Sequence, residues 1–157
     1  MSGSIQGGER MFKHILIPTD GSPVSAKAVK AGIALAGQIG AKITGYYVVE
    51  PVPVRLYGEG YVADRQMVAE FERRARDAAK KHVAAIARAA AQAGVSCETL
   101  VQTARTPYEG IVEAAKKRKC DLILMASHGY RGLMRLTLGS VTDKVIQLSK
   151  IPVLVYR

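Results

Sequence analysis

The stretch DLILMASHGYRGLMRLTLGSVTDKVI, residues 121–146, joins a short apolar run to a glycine-rich segment and then to a second apolar-periodic segment. The run Leu122–Ala126 is typical of a strand that is buried on both faces. Gly129, Gly132 and Gly139 then lie within eleven residues, although each glycine costs roughly 0.5–1 kcal/mol relative to alanine inside a helix or strand. We therefore expect a strand, a loop and a helix that begins at Ser140.

The same alternation of strand-like and helix-like segments continues along the rest of the chain. The pattern predicts strands at 14–18, 42–49, 95–102, 121–126 and 152–156, and helices at 23–39, 64–93, 107–119 and 140–149. Alternating strands and helices indicate βαβ units and a parallel sheet. With right-handed crossovers, this predicts one doubly wound α/β domain, a five-stranded parallel sheet with helices on both faces.

The domain is expected to span residues 12–157. Residues 1–11 are rich in Gly and Ser and are interpreted as a flexible N-terminal extension, either native or added by cloning. No targeting segment is apparent, and the apolar runs are shorter than a membrane span. The two cysteines form no CxxC pair. A reducing cytoplasm is therefore the expected location, and neither the cysteines nor the three isolated histidines have the spacing of metal ligands.

The net charge of +10 allows two interpretations. A basic surface can bind nucleic acid or anionic lipid. The basic runs at 73–76 and 80–81 are, however, interleaved with acidic residues, and the run at 116–119 lies at the end of a predicted helix, where cations suit the dipole. Aromatic residues are not placed between the basic ones as stacking platforms. We favour solvated helix faces and expect neither nucleic acid nor membrane as a partner.

Two loops at the carboxyl ends of predicted strands carry groups suited to a nucleotide. In open α/β sheets, ligands bind at this edge, where the strand order reverses. The first loop, Pro18-Thr19-Asp20-Gly21-Ser22, offers the Asp20 carboxylate as an acceptor for ribose hydroxyls. The second loop follows the fourth predicted strand. We expect adenine to lie along Tyr47–Val49 and the phosphates to lie between Gly129 and Ser140.

The second loop combines several donors for an anion. Backbone N–H groups near Gly129 and Gly132 can approach a phosphate closely. A helix that begins at Ser140 adds free N–H groups and the positive end of its dipole. The Ser140 and Thr142 hydroxyls are further donors, and Arg131 can supply a charge.

A structural interpretation of the same residues is equally open. Ser140 can simply cap the helix, with Asp143 completing a pattern like a capping box. The glycines can serve an ordinary loop, and Asp20 can be a turn residue. His128 can act as a general base or a phosphate donor, but no acid partner for it is evident, so we favour a structural role.

The residues quoted above resemble the universal stress protein family. The resemblance rests on PTDGS after ILI, on the segment at 121–146 and on the terminal IPVLVYR, and it covers almost all of residues 12–157. Nucleotide-binding members carry Gly, two residues, Gly, nine residues, Gly, and then Ser or Thr. In this chain Ala126 replaces the first glycine, whereas Gly129 and Gly139-Ser140 match and Gly132 falls inside the spacer. Alanine is strained there if the position needs a positive φ, and intrudes little if it needs only room.

The resemblance implies ATP, with Mg²⁺, as the ligand. It places Asp20 at the ribose, Val48 or Val49 and Met125 at the adenine, and Gly129, Gly139, Ser140 and Val141 at the phosphates. The candidate binding residues taken together are Pro18, Thr19, Asp20, Val48, Val49, Met125, Ala126, His128, Gly129, Arg131, Gly132, Gly139, Ser140, Val141 and Thr142.

Function and assembly follow from the resemblance as expectations. The protein is expected to be an ATP-binding regulatory or stress-response protein, not a dedicated enzyme, with at most slow hydrolysis. Members pair through the last strand, which here is the apolar segment Val153–Tyr156, so a homodimer is expected. Two alternatives stay open. One is a scaffold dimer that binds no nucleotide, which Ala126 favours, and the other is an enzyme that activates a substrate with ATP.

Overall fold

The computed structural model describes residues 11–52, 64–128 and 138–157. The elements are β1 (His14–Pro18), α1 (Pro23–Ile39), β2 (Lys42–Val49), α2 (Arg65–Gln92), β3 (Cys97–Thr103), α3 (Pro107–Lys117), β4 (Leu122–Ala126), α4 (Ser140–Leu148) and β5 (Val153–Tyr156). The predicted extension lies outside the described residues except for Met11. None of the helices among the described residues is long and apolar enough to cross a membrane.

The five strands form one parallel sheet in the order β3-β2-β1-β4-β5. The chain builds outward from β1 through β2 to β3, and then returns to place β4 and β5 on the other side of β1. Ile15 of β1 pairs with Ile43 of β2 and with Leu122 of β4. The strand order thus reverses between β1 and β4, and a crevice for ligands is expected outside their carboxyl ends.

Helices cover both faces of the sheet, as the doubly wound prediction requires. On one face, Ile15 and Ile17 of β1 pack in a core with Ala28 of α1 and Ala90 of α2. On the other face, Leu16 packs in a second core that includes Ile111 of α3 and Val145 of α4. Successive side chains of a strand point to opposite faces, so β1 contributes to both cores. Every residue of β1 and β4 is buried, which accounts for their continuous apolar runs.

The third strand begins two residues later than its apolar residues predict. Val95 is buried, but its N–H donates to the Ala90 carbonyl at 2.8 Å, while the Gly94 N–H donates to Ala91 at 3.1 Å and Gly94 has a φ of +69°. This pair of bonds is a Schellman motif that ends α2. Val95 is therefore part of the motif that ends the helix and not the first residue of the strand, and β3 starts at Cys97.

Candidate functional site

The turn between β1 and α1 is held by a network of short hydrogen bonds. Asp20 Oδ1 accepts from the Ser22 N–H at 2.9 Å, and Ser22 Oγ accepts from the Ser25 N–H at 3.1 Å as the N-cap of α1. Thr19 Oγ1 accepts from the Gly21 N–H at 3.1 Å and lies 3.0 Å from Ser25 Oγ. Asp20 is therefore a turn residue, because its Oδ1 accepts from the Ser22 N–H within the turn. The same bond fixes the Asp20 carboxylate at the carboxyl end of β1.

The end of β4 is bonded to the start of α4. The Ser127 N–H donates to the Tyr156 carbonyl at 3.0 Å, and the Gly139 N–H donates to the Ser127 carbonyl at 2.7 Å. The Thr142 hydroxyl donates to the Ala126 carbonyl at 2.9 Å and is buried. These bonds bring the two ends of the glycine-rich segment together at the carboxyl edge of the sheet.

Gly139 is needed at this junction for room rather than for its backbone angles. Its φ is −62°, which any residue adopts. A Cβ added at this position, however, would lie 3.1 Å from His128 Cα and 3.3 Å from the Ser127 carbonyl oxygen. Both neighbours are backbone atoms, so neither can move aside by a side-chain rotation. The glycine therefore permits the close approach of α4 to the strand end.

The N-terminus of α4 carries no side-chain cap among the described residues. Gly139 is the N-cap and Ser140 is the first helical residue, with an exposed side chain. Asp143 Oδ2 accepts instead from Gln147 Nε2 at 2.7 Å. The capping-box interpretation is therefore wrong. The N–H groups of the first turn and the positive end of the dipole point to the carboxyl edge of the sheet, which suits an anion.

Ala126, which replaces a motif glycine, is accommodated without backbone strain. Among the described non-glycine residues, only Lys119 has a positive φ. Ala126 lies in β4 opposite Tyr156, is 7% exposed, and packs in the core that α1 covers. The position therefore tolerates a methyl group, and the departure from the family pattern leaves the local geometry intact.

The apolar candidates divide between the two faces of the sheet. Met125 is buried and Val48 is half-buried, and both pack in the core beneath α3 and α4. Val49 is buried and, as the next residue of β2, points to the opposite face. Pro18 is buried at the end of β1. Val48 and Met125 are therefore the pair that shares a face near the carboxyl edge.

Three candidates, Gly129, Arg131 and Gly132, lie outside the described residues. His128 lies at the edge of the described part, half-buried, with its Nδ1 2.9 Å from Ser127 Oγ. That contact is consistent with a structural role. The Thr142 hydroxyl donates its single proton to a backbone carbonyl, so its place in the site is to hold α4 against β4.

The structure brings one residue that the sequence analysis left out of the candidate site, His82, against Tyr47, which that analysis had placed beside the adenine. Their rings stack with centroids 5.5 Å apart and an interplanar angle of 8°. His82 also lies against Gly21, where an added Cβ would be 2.5 Å from His82 Cε1. The helical pattern assigned His82 only a structural place on α2, because no local pattern encodes a contact between residues sixty positions apart.

Cysteine and metal chemistry find no support in the described residues. Burial raises the pKa of both thiols, to about 11 for Cys120, so neither is a thiolate nucleophile at neutral pH. No group of three His, Cys, Asp or Glu side chains among the described residues is placed to hold a metal ion.

Comparison with known proteins identifies the family. The model of the universal stress protein family matches residues 11–157. The chain is 37% identical to universal stress protein MJ0531 of Methanocaldococcus jannaschii, with 100% of this chain and 89% of that protein covered. The solved structure of the hypothetical protein MJ0577 has a TM-score of 0.79 and 28% identity, covering 92% of this chain and 95% of that one. A universal stress protein solved in complex with cAMP has a TM-score of 0.68 and 24% identity, covering 94% and 98%. The chain belongs to the universal stress protein family.

Proposed function

We propose that this protein binds ATP at the carboxyl edge of the sheet between β1 and β4 and acts as a regulatory protein of the stress response in the cytoplasm. The observation that carries the proposal is the junction at Gly139. There α4 presents an N-terminus that has no side-chain cap among the described residues, held so close to Ser127 and His128 that an added Cβ would make contacts of only 3.1 and 3.3 Å. Uncapped N–H groups at a helix start, beside a turn that carries a carboxylate, suit a phosphorylated ribose.

Each part of the nucleotide has a partner in this arrangement. The Ser140 and Val141 N–H groups and the Ser140 hydroxyl face the phosphates, and Gly139 keeps the approach open. Asp20 accepts from the ribose hydroxyls with the carboxylate that Ser22 holds in place. Val48 and Met125 provide an apolar wall for adenine. Gly129, Arg131 and Gly132 complete the phosphate side in the proposal.

Mg²⁺ accompanies the nucleotide and neutralises phosphate charge, as it does in most nucleotide sites. Phosphate oxygens would hold it, since the described residues offer no cluster of ligands for a dedicated metal site. We expect hydrolysis to be at most slow, because no acid partner for His128 is evident among the described residues.

The comparisons support an adenine nucleotide as the ligand class. A protein of the same fold has been solved with cAMP, so in that protein the fold holds an adenine nucleotide. The extension to ATP in this chain rests on its own Gly139-Ser140 junction. The main alternative is a scaffold that binds no nucleotide, and its support was the replacement of a motif glycine by Ala126. That support is weaker because Ala126 has no backbone strain.

A homodimer formed through β5 is part of the proposal. β5 is an edge strand of the described sheet, and Leu154 and Tyr156 are 38% and 39% exposed. Ile146 and Leu148 of α4 add exposed apolar surface nearby in the chain. An open apolar edge favours pairing with a second strand. Sedimentation equilibrium should give a dimer for the wild type and a monomer for Leu154→Lys; a wild-type monomer would contradict this assignment.

The experiment that tests the function is direct. Nucleotide released from the purified protein is identified by mass spectrometry, and ATP is titrated by calorimetry with and without Mg²⁺. The proposal predicts bound adenine nucleotide or an affinity in the micromolar range. No released nucleotide and no binding heat under either condition would favour the scaffold. A pyrophosphate-release assay with candidate acceptors separates the regulatory protein from an ATP-dependent enzyme.

A further inference from the structure

We propose that His82 is a positioning residue for nucleotide binding: its ring, stacked on Tyr47 and seated against Gly21, holds the turn that presents Asp20. This inference rests on the proposed ATP site. Helix α2 lies outside the sequence motifs that carry the family resemblance. The inference gives this helix a part in selecting ligands that carry ribose hydroxyls.

The position of His82 follows from how α2 packs on β2. Ile86 lies over Gly45, where an added Cβ would be 3.1 Å from Ile86 Cγ2. The helix runs antiparallel to the strand, so His82, four residues earlier, lies about 6 Å nearer the carboxyl edge. Tyr47, two residues after Gly45, lies about 6.6 Å nearer the same edge. The Ile86–Gly45 and His82–Tyr47 contacts are therefore successive steps of one helix–strand interface.

The contact with Gly21 transmits this position to the turn. Gly21 has a φ of +79°, a conformation that side-chain-bearing residues rarely adopt. An added Cβ would lie 2.5 Å from His82 Cε1 and 2.7 Å from Nε2. Gly21 stands between Asp20 and Ser22, the two residues joined by the bond to Asp20 Oδ1. A ring against Gly21 therefore restricts the movement of the turn.

A role confined to stability and a role in positioning Asp20 make different predictions. If the ring only adds packing, its loss weakens every ligand equally or weakens none. If the ring positions Asp20, its loss specifically reduces the advantage of ATP over 2′,3′-dideoxy-ATP, which lacks the hydroxyls that Asp20 accepts from. The ratio of the two affinities is therefore the informative quantity.

The test measures both ligands by calorimetry, at fixed Mg²⁺, for the wild type, His82→Ala and His82→Phe. His82→Ala should reduce the preference for ATP about three- to tenfold, the scale of one aromatic pair. Dideoxy-ATP affinity should stay near the wild-type value. His82→Phe keeps a ring that can stack and should restore the preference. In an Asp20→Asn background, His82→Ala should have no further effect on the ratio.

Controls separate the possible failures. Lys81→Ala alters the neighbouring exposed residue of α2 and should leave both affinities unchanged. If His82→Ala does not fold, His82→Leu removes the aromatic stack while keeping apolar bulk. Wild-type protein that binds ATP with an unchanged ligand ratio in the folded His82 variants would overturn this inference alone. Wild-type protein that binds no ATP would overturn the proposed function, and the inference with it.

Discussion

Replacement of Gly139 by valine is expected to weaken ATP binding and to lower stability together. An added Cβ at this position would lie 3.1 Å from His128 Cα and 3.3 Å from the Ser127 carbonyl oxygen. Valine brings two further methyl groups into the same space. Because the φ of −62° suits any residue, the effect is steric and not conformational. The start of α4 must move away from the end of β4.

The size of both effects can be estimated from this geometry. Overpacking of this kind costs about 1–3 kcal/mol of unfolding free energy. For a domain of this length, this lowers the Tm by roughly 2–12 °C. Movement of the helix start that loses one hydrogen bond to a phosphate costs about 1.5–3 kcal/mol of binding free energy. The Kd for ATP should therefore rise about 10- to 150-fold. Gly139→Ala, with one methyl, should show smaller effects in the same directions.

Calorimetric titration of ATP and thermal unfolding are measured on the same preparations. Gly37→Ala is the matched control, because an added Cβ there would lie 3.6 Å from Val95 Cγ2, an ordinary contact, on an exposed part of α1. It should gain about 0.5–1 kcal/mol of stability and bind ATP like the wild type. A folded Gly139→Val protein with wild-type ATP affinity would refute the assignment of the phosphates to this junction.

The remaining predictions concern three buried polar groups. Tyr46→Phe should raise the unfolding free energy in urea by about 1 kcal/mol, because the Tyr46 hydroxyl is buried without a hydrogen-bond partner among the described residues. Gly110→Ala should destabilise the wild type, because the added Cβ would lie 2.6 Å from the Tyr46 hydroxyl. The same substitution should cost less in the Tyr46→Phe protein, and equal losses of unfolding free energy in the two backgrounds would contradict the contact. Thr142→Val should cost about 1–3 kcal/mol by leaving the Ala126 carbonyl without its partner, with ATP affinity unchanged; lost affinity at full stability would make the hydroxyl a ligand instead. Burial lowers the pKa of His14 below its usual 6.5. Near that pH the unfolded chain therefore binds more protons than the native one, so the unfolding free energy measured in urea should fall as the pH drops through 6.5. The His14→Gln variant should show a shallower pH dependence, and identical slopes for the two proteins would contradict the assignment.

The sheet could be predicted because buried parallel strands leave an unambiguous pattern. β1 and β4 are buried on both faces, so almost every position is apolar, and the glycines and prolines at their ends mark the boundaries. Val95 shows the limit of such reasoning. Its apolar side chain serves the end of α2, and a residue that closes a helix cannot be distinguished by hydrophobicity from one that opens a strand.

The positions of the candidate site residues were predictable where these residues lie next to a strand end. Asp20 and Gly139 could be placed at the carboxyl edge because topology alone brings these strand ends together. The direction of a hydroxyl could not be predicted. Thr142 lies in the first turn of α4, and whether its hydroxyl faces a phosphate or the Ala126 carbonyl depends on how α4 packs against β4. The contact of His82 with Gly21 could not be predicted for a related reason, since it depends on the packing of α2 on β2.

Glycines at the edge of this sheet meet different physical demands, and this decides which of them can be replaced. Gly21 needs a positive φ and an empty space beneath His82, so it meets two constraints at once. Gly139 has an ordinary φ and needs only space. At position 126 the strand needs no positive φ, and an alanine packs into the core. The glycines of the motif therefore do not all meet the same structural requirement. We therefore expect the loss of a motif glycine to weaken the proposed nucleotide binding only where a side chain would displace the backbone, and in this chain we expect that at position 139.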